Sequence, residues 1–484
     1  MVEIAALPRE TLSMVFQCLE PYVRASSKSD LLHCIQVCRL WHDLAVPLLY
    51  RQIWVYIASP PAEEDVIRKL FPNPRTSEIR HLHILITSGG HVYNVQKQCD
   101  EIMEYINKTR SMVEAATNLR LVDLDLCAFT PPDSIPTLQP SLQAANNLLV
   151  SLTGTIAAKR TKLRLRLSRP DIMAEAQVER ACRPVFNDTL REARGQLTSL
   201  SIGCPLSWFL PWIRENPQLQ EINFTRTSDA DSYEVAEFWD IVQSCDLKKL
   251  MFDGLDFPPI QKIPIGLVEL ILTRLEDTSS ATEAILTHLP NLKVLSLRWE
   301  KNASDDGRVC VTGDKIVCQG LRKAWWTFSS VPVGTIITLA RACVLLESLS
   351  LPRNVTNQDL FSISHTANWL TDVWIMDCPS ITLPGLLALK DLKRLNHLQL
   401  QSRFSAFLSD GHLNGFIARC VTLGQVTLIF DDRQDETHRR QELSSKVSGP
   451  VPYYSLLTSA STFQSSNLGD KIIFNIKTIR DEIR

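Results

Sequence analysis

The sequence predicts an α/β chain: a short three-helix domain, then a solenoid of strand–helix repeats with parallel strands on a concave face and helices on a convex face. Three observations carry this. The pattern Leu-x-x-Leu-x-Leu, with other apolar residues allowed, recurs along most of the chain. From Leu197 its starts step by 22, 28, 20, 25, 54, 24, 25 and 28 residues, a near-constant period with one double step. Stretches of helical periodicity fall between the matches, while the first 50 residues carry helical spacing alone.

In the N-terminal piece, Pro8 suits a first helical turn, where its missing N–H costs little. Leu12, Val15, Phe16 and Leu19 then follow at helical spacing until Pro21, and residues 24–30 read as a loop. Asp30 is placed to cap a second helix carrying Leu31, Leu32, Ile35 and Val37. Trp41, Leu44 and Leu48 continue the apolar set in a third helical piece, interrupted near Pro47, with Trp41 as core. Three short helices make a small core, which usually leans on a neighbour or partner. Cys34, Cys38 and His42, at i, i+4 and i+8, would share one helical stripe. Three ligands along one helix with no companion Cys pair make poor zinc spacing, so buried thiols are expected there. No metal and no cofactor is expected in the chain.

Residues 1–53 are thus one domain, and 54–118 a linker with the first repeat-like or capping elements. In that linker Ile79, Leu82 and Ile84 are expected to form the first strand, and 91–118 a helix. The solenoid proper spans 119–430, and 431–484 is a C-terminal capping segment and tail. The first full match is Leu121, Leu124 and Leu126. Residues 129–146, with three prolines near their start, read as a loop or linker, and Leu163, Leu165 and Leu167 suggest a strand in an irregular stretch. Regular matches then begin at Leu197, Leu219, Leu247, Leu267, Leu292, Leu346, Leu370, Leu395 and Leu423. The step of 54 predicts a degenerate repeat near Leu321 to Trp326 or an inserted loop around 300–316. Segments 234–244, 280–288, 334–345 and 405–420 look helical and would return the chain. One repeat cannot bury its own apolar face, so neighbours must stack. An ordinary α/β domain with buried parallel strands is the competing architecture.

Composition narrows the function classes. The 484 residues are 45% hydrophobic with net charge -2, which argues against a general nucleic-acid binder. No 18-residue apolar run occurs, so no membrane span is expected. The opening MVEIAALPRE lacks a basic segment followed by a long apolar stretch, so no signal peptide is expected. Thirteen cysteines in no dense framework fit a reducing compartment, cytoplasmic and/or nuclear. No hydrolase elbow, phosphate loop or HExxH run occurs, so no catalytic residues are expected.

Outward positions of the repeat strands are free to carry specificity, because the inward ones are tied to packing. Candidates for target binding are Met251 and Asp253, Ser296 and Arg298, Trp374 and Met376, and Gln399 and Gln401. Trp374 is the sharpest: it lies between the core-facing Val373 and Ile375, so alternation turns its ring outward. The set has no basic run, which points to a protein surface or peptide and away from a phosphate backbone.

Leu7-Pro8-x-Glu10, Leu12, Val15-Phe16 and Leu19 resemble the opening of an F-box. Leu31-Leu32, Cys34, Val37-Cys38-Arg39-x-Trp41, Leu44-Ala45 and Pro47-Leu48-Leu49-Tyr50 resemble its second half; the VCRxW and PLLY pieces are especially similar to F-box proteins of fungal type. The segment at 20–30 departs from the shortest F-boxes by its length. The remainder resembles a leucine-rich-repeat domain of the irregular kind often attached to F-boxes. The resemblance implies a non-catalytic adaptor of an SCF-type ubiquitin ligase. Leu7, Pro8, Leu31, Leu32 and Val37 would then face Skp1, which connects to cullin and RING subunits, and the repeats would present an unknown protein substrate. A Skp1-binding structural or regulatory protein acting outside a cullin complex is the alternative.

Overall fold

A computed structural model describes residues 36–57, 76–86, 95–127, 139–168, 175–203, 205–224, 232–253, 258–273, 278–298, 313–327, 333–351, 354–375, 378, 380–401, 422–429, 461–464 and 471–475. The chain divides into two units, Met1–Asp246 and Leu247–Arg484.

The first described element is helix α1, Arg39–Arg51, which runs through Pro47. The expected interruption there does not occur. Proline removes one N–H, and the carbonyl that loses its partner belongs to the exposed Asp43, where water can serve it. Cys38 precedes the helix in extended conformation and is exposed, so the expected helical stripe does not extend through it to His42, and Cys34 lies outside the described residues. The first expected helix and most of the second lie outside the described residues; at the end of the second, Val37 stands in a turn rather than a helix.

At Gln52 the helix passes directly into β1, Gln52–Ile57. It is followed by β2 (His81–Ile86), β3 (Leu121–Cys127), β4 (Lys162–Ser168), β5 (Leu197–Ile202) and β6 (Glu221–Phe224). Each strand pairs in parallel with the next. The first strand is therefore β1, and the Ile79–Ile84 segment supplies the second. In β2 burial alternates residue by residue, with Leu82, Ile84 and Ile86 inside. This is the period of a pleated strand with one covered face. Each such side chain contributes about 1.5–3 kcal/mol on burial.

The returning helices are α2 (Val95–Ala115), α3 (Gln139–Ala158), α4 (Glu175–Ala193), α5 (Leu210–Glu215) and α6 (Ser232–Val242). Helix α3 corrects the expectation of a loop for residues 139–146; residues 129–138 lie outside the described residues. Its Ala145, Leu149, Leu152 and Ile156 form a helical stripe and are buried. The prolines that suggested a loop precede all but the first turn. The phase at β3 also differs: Leu119, Val122, Leu124 and Leu126 are buried, while Leu121 stands on the other side of the strand.

The second unit repeats the plan with β7 (Lys249–Asp253), β8 (Glu269–Thr273), β9 (Val294–Arg298), β10 (Lys323–Thr327), β11 (Ser348–Leu351), β12 (Asp372–Ile375), β13 (His397–Gln401) and β14 (Gln425–Ile429). All pair in parallel with their sequence neighbours. Helices α7 (Thr278–His288), α8 (Val333–Ala342), α9 (Asn357–Thr366) and α10 (Leu383–Ala388) lie between them in sequence. The double step is a degenerate repeat, in which Leu321, Ala324 and Trp326 occupy the three core positions at 0%, 0% and 1% exposure. The segment expected to be helical over 405–420 lies outside the described residues. Beyond β14 the pairing turns antiparallel: β16 (Lys471–Asn475) lies against β14, and β15 (Ser461–Gln464) against β16.

Thiols are part of these cores. Cys245, Cys318, Cys343 and Cys378 are buried, and the Cys343 Sγ lies 3.4 Å from the Cys318 carbonyl oxygen. The neighbouring Cys318 side chain and burial push the Cys343 thiol far up, which keeps it protonated.

Candidate functional site

Strand alternation places Lys323 and Trp325 of β10, Ser348 and Ser350 of β11, Asp372 and Trp374 of β12, and His397 and Gln399 of β13 on the side opposite the buried leucines. Trp374 pairs in register with Ser350 on one side and Gln399 on the other. Trp325 and Trp374 flank β11, two strand spacings apart, or about 10 Å. Their ring centroids are nevertheless only 5.5 Å apart at 18°, so the indoles lean toward each other and stack. A serine between them leaves the room; Ser350 is 2% exposed and donates to the Trp326 carbonyl. Trp325 Nε1 donates to Ser348 Oγ at 3.0 Å, and Lys323 Nζ sits 5.7 Å from the Trp325 ring centroid. Trp374 Nε1 is shielded from solvent and has no hydrogen-bond partner.

Beside the indoles, Asp372 Oδ1 lies 3.4 Å from His397 Nδ1 and Asp372 Oδ2 accepts from Thr371 Oγ1. His397 Nε2 reaches Thr427 Oγ1 at 3.0 Å. Burial alone would raise the Asp372 pKa, but the His397 and Thr371 hydrogen bonds, with the His397 and Lys323 charges, outweigh it and hold it below the usual carboxylate range. The result is a stacked indole pair with fixed polar groups at its side, suited to burying part of a partner and orienting the rest.

The first unit presents a different face. Asp123 Oδ2 lies 2.9 Å from His81 Nε2 and 2.8 Å from His83 Nδ1. Gln52 Nε2 lies 3.3 Å from the other nitrogen of His81 and 2.8 Å from that of His83. Further along, Arg166 pairs with Asp125 and Arg164 with Glu221, each at 3.4 Å. Burial, the largest single influence, would raise Asp123, yet the hydrogen bonds from His81 and His83 together with their charges outweigh it and hold it well below the carboxylate range.

Residues 4–55 match the family model described as F-box-like. No curated protein matches the chain. Among solved structures, the leucine-rich repeat-containing protein LegL7 from Legionella pneumophila is similar at 12% identity and a TM-score of 0.25, over 82% of this chain and 98% of that one. The fold itself rests on the strand–helix order and register given above. The chain joins an F-box-like segment to a leucine-rich-repeat fold.

In the F-box-like segment, Val37 sits in a turn ahead of α1 and is 60% exposed. Leu7, Pro8, Leu31 and Leu32 lie outside the described residues. In the repeats, Met251 and Asp253 lie on the open side of β7, partly exposed, and Asp253 accepts from Thr273 Oγ1 at 2.5 Å. Ser296 is partly exposed on β9 and pairs in register with Trp325. Arg298 and Gln401 belong to β9 and β13 by backbone, while Met376 lies outside the described residues. Trp374 faces the open side, and Gln399 beside it is buried at 3% exposure. Sequence reasoning missed Trp325, whose degenerate repeat hid its outward parity. It also missed His81, His83 and Asp123; the signal was His-x-His on a strand, which puts both rings on one face.

Proposed function

We propose that this chain is the substrate-recognition adaptor of an SCF-type ubiquitin ligase. The observation that carries the reading is the F-box-like match at residues 4–55 joined directly to leucine-rich repeats. Leu7, Pro8, Leu31, Leu32 and Val37 would dock Skp1, and through it cullin and RING subunits. The exposure of Val37 supports this, since an apolar side chain so open to water gains by being covered. The open strand face from β7 to β14, centred on Trp325 and Trp374, would bind a protein target. Ubiquitin transfer would take place on other subunits, in the cytoplasm or nucleus, with no catalytic group in this chain.

The test uses the full-length chain. Helix α1 enters β1 without a break, so deleting the F-box-like segment would also remove a strand. Leu31→Ala with Leu32→Ala should instead abolish recovery of Skp1, cullin and RING subunits, each buried leucine costing about 2–5 kcal/mol. Equal Skp1 recovery from both chains would overturn the reading. Skp1 recovered without cullin would move the protein to a role outside the ligase.

A further inference from the structure

We propose that His81, His83 and Asp123 form a binding site for one divalent transition-metal ion of the zinc class. The fold brings the three together from two neighbouring strands. His81 and His83 share a face of β2, and His83 pairs in register with Asp123 on β3. Both histidines point a ring nitrogen at the same carboxylate oxygen, at 2.9 and 2.8 Å. All three ligand atoms lie within 4.8 Å of one another. A tetrahedral ion at about 2.0–2.2 Å from each would hold its ligands roughly 3.3–3.6 Å apart, so the two histidine–carboxylate contacts need to open by about half an ångström. Two imidazoles and one carboxylate suit zinc and its first-row neighbours better than magnesium or calcium, which prefer all-oxygen shells.

Two further features fit a site in waiting. Asp123 Oδ1 is shielded from solvent and accepts no hydrogen bond, with Arg164 Nε 4.0 Å away. A buried carboxylate oxygen without a donor is costly, and a cation beside the carboxylate would offset that cost. The second feature is Gln52, which bridges the outer nitrogens of both rings. When the inner nitrogens carry hydrogens toward Asp123, the outer ones accept from the Gln52 amide nitrogen. When an ion takes the inner lone pairs, each ring moves its hydrogen to the outer nitrogen, and a rotated Gln52 amide presents Oε1 to both. The imidazoles neither gain nor lose a proton overall, and the supporting group that orients metal-bound histidines is already in place. Arg164 opposes a cation, but it is about half exposed and its Nη2 lies 3.4 Å from Glu221, which draws it aside. Three protein ligands leave a coordination position for water.

The experiment titrates the intact, reduced chain with Zn2+ by calorimetry, and with Co2+ by visible absorption. Wild type should bind one Zn2+ that His83→Gln with Asp123→Asn binds at least 100-fold more weakly. Gln52→Leu should weaken it 10–100-fold, the usual range for an outer-shell partner. Unchanged Zn2+ stoichiometry and affinity in the double variant would overturn the site. Should that variant fail to fold, the wild-type Co2+ spectrum decides. Ligand-field bands without thiolate charge transfer support the site; absorption due to thiolate alone, or none, refutes it.

Discussion

A single serine leaves room for the indole pair on the open face of the second unit. Ser350 is small enough for the indoles of Trp325 and Trp374 to meet above its strand at 5.5 Å. Stacked aromatic pairs contribute about 0.5–1.5 kcal/mol beyond the area they bury. Trp325→Ala, Trp374→Ala and the double change should therefore show a coupling of that size in denaturation experiments. The same Trp374→Ala change should lower target recovery while Skp1 recovery stays as in wild type. Coupling near zero would mean that the rings touch without supporting each other. Unchanged target recovery from the double variant would place recognition elsewhere.

At the scale of elements, the junction of α9 and α10 shows how one repeat holds the next. Thr356 caps α9 in a capping box with Asp359. Asn357, the first helical residue, then reaches across: its Oδ1 accepts from Thr382 N at 2.9 Å and its Nδ2 donates to Thr382 Oγ1 at 2.7 Å. Gly385 makes the reach possible, since a Cβ there would lie 2.2 Å from Asn357 Oδ1. Gly385→Ala should thus lower stability by about 1–3 kcal/mol despite the better helix propensity of alanine. In an Asn357→Ala background the same change should cost clearly less, because Oδ1 and Cγ are gone while the Cα at that position stays 3.1 Å from the new Cβ; equal melting shifts in both backgrounds would sink the argument. Such junctions explain what the sequence made legible. Leucines at i, i+3 and i+5 announce a strand with one covered face, and Leu321, Ala324 and Trp326 obeyed that rule with altered residues. Helix α3 was obscured by the prolines before it, and β1 by its direct continuation from α1. The His81–His83–Asp123 cluster was hidden for another reason: which residues of two strands stand opposite each other depends on register, and 40 residues separate His83 from Asp123.

For the molecule as a whole, stability is built from neighbours. Within each unit every repeat strand pairs with the strands beside it in sequence, so a disturbance should fade over one or two repeats. Strand β14 is the last of the parallel series, and an open edge there would offer unpaired backbone groups to other chains. The antiparallel β16 closes it through five register pairs, from Gln425 opposite Asn475 to Ile429 opposite Lys471, and β15 extends the cover. Removing residues 431–484 should therefore raise amide exchange in β14 most and in β13 less, and leave β2 and β3 as protected as before. It should also make association concentration-dependent, because the freed edge can pair with a second copy. Light scattering and hydrogen exchange on the shortened chain measure both effects. If β14 kept its full protection as a monomer, the terminal strands would be ornaments on an edge already safe. Loss of protection in β2 and β3 as well would show that the units fold as one, and that nearest-neighbour stacking is not what limits the spread of damage.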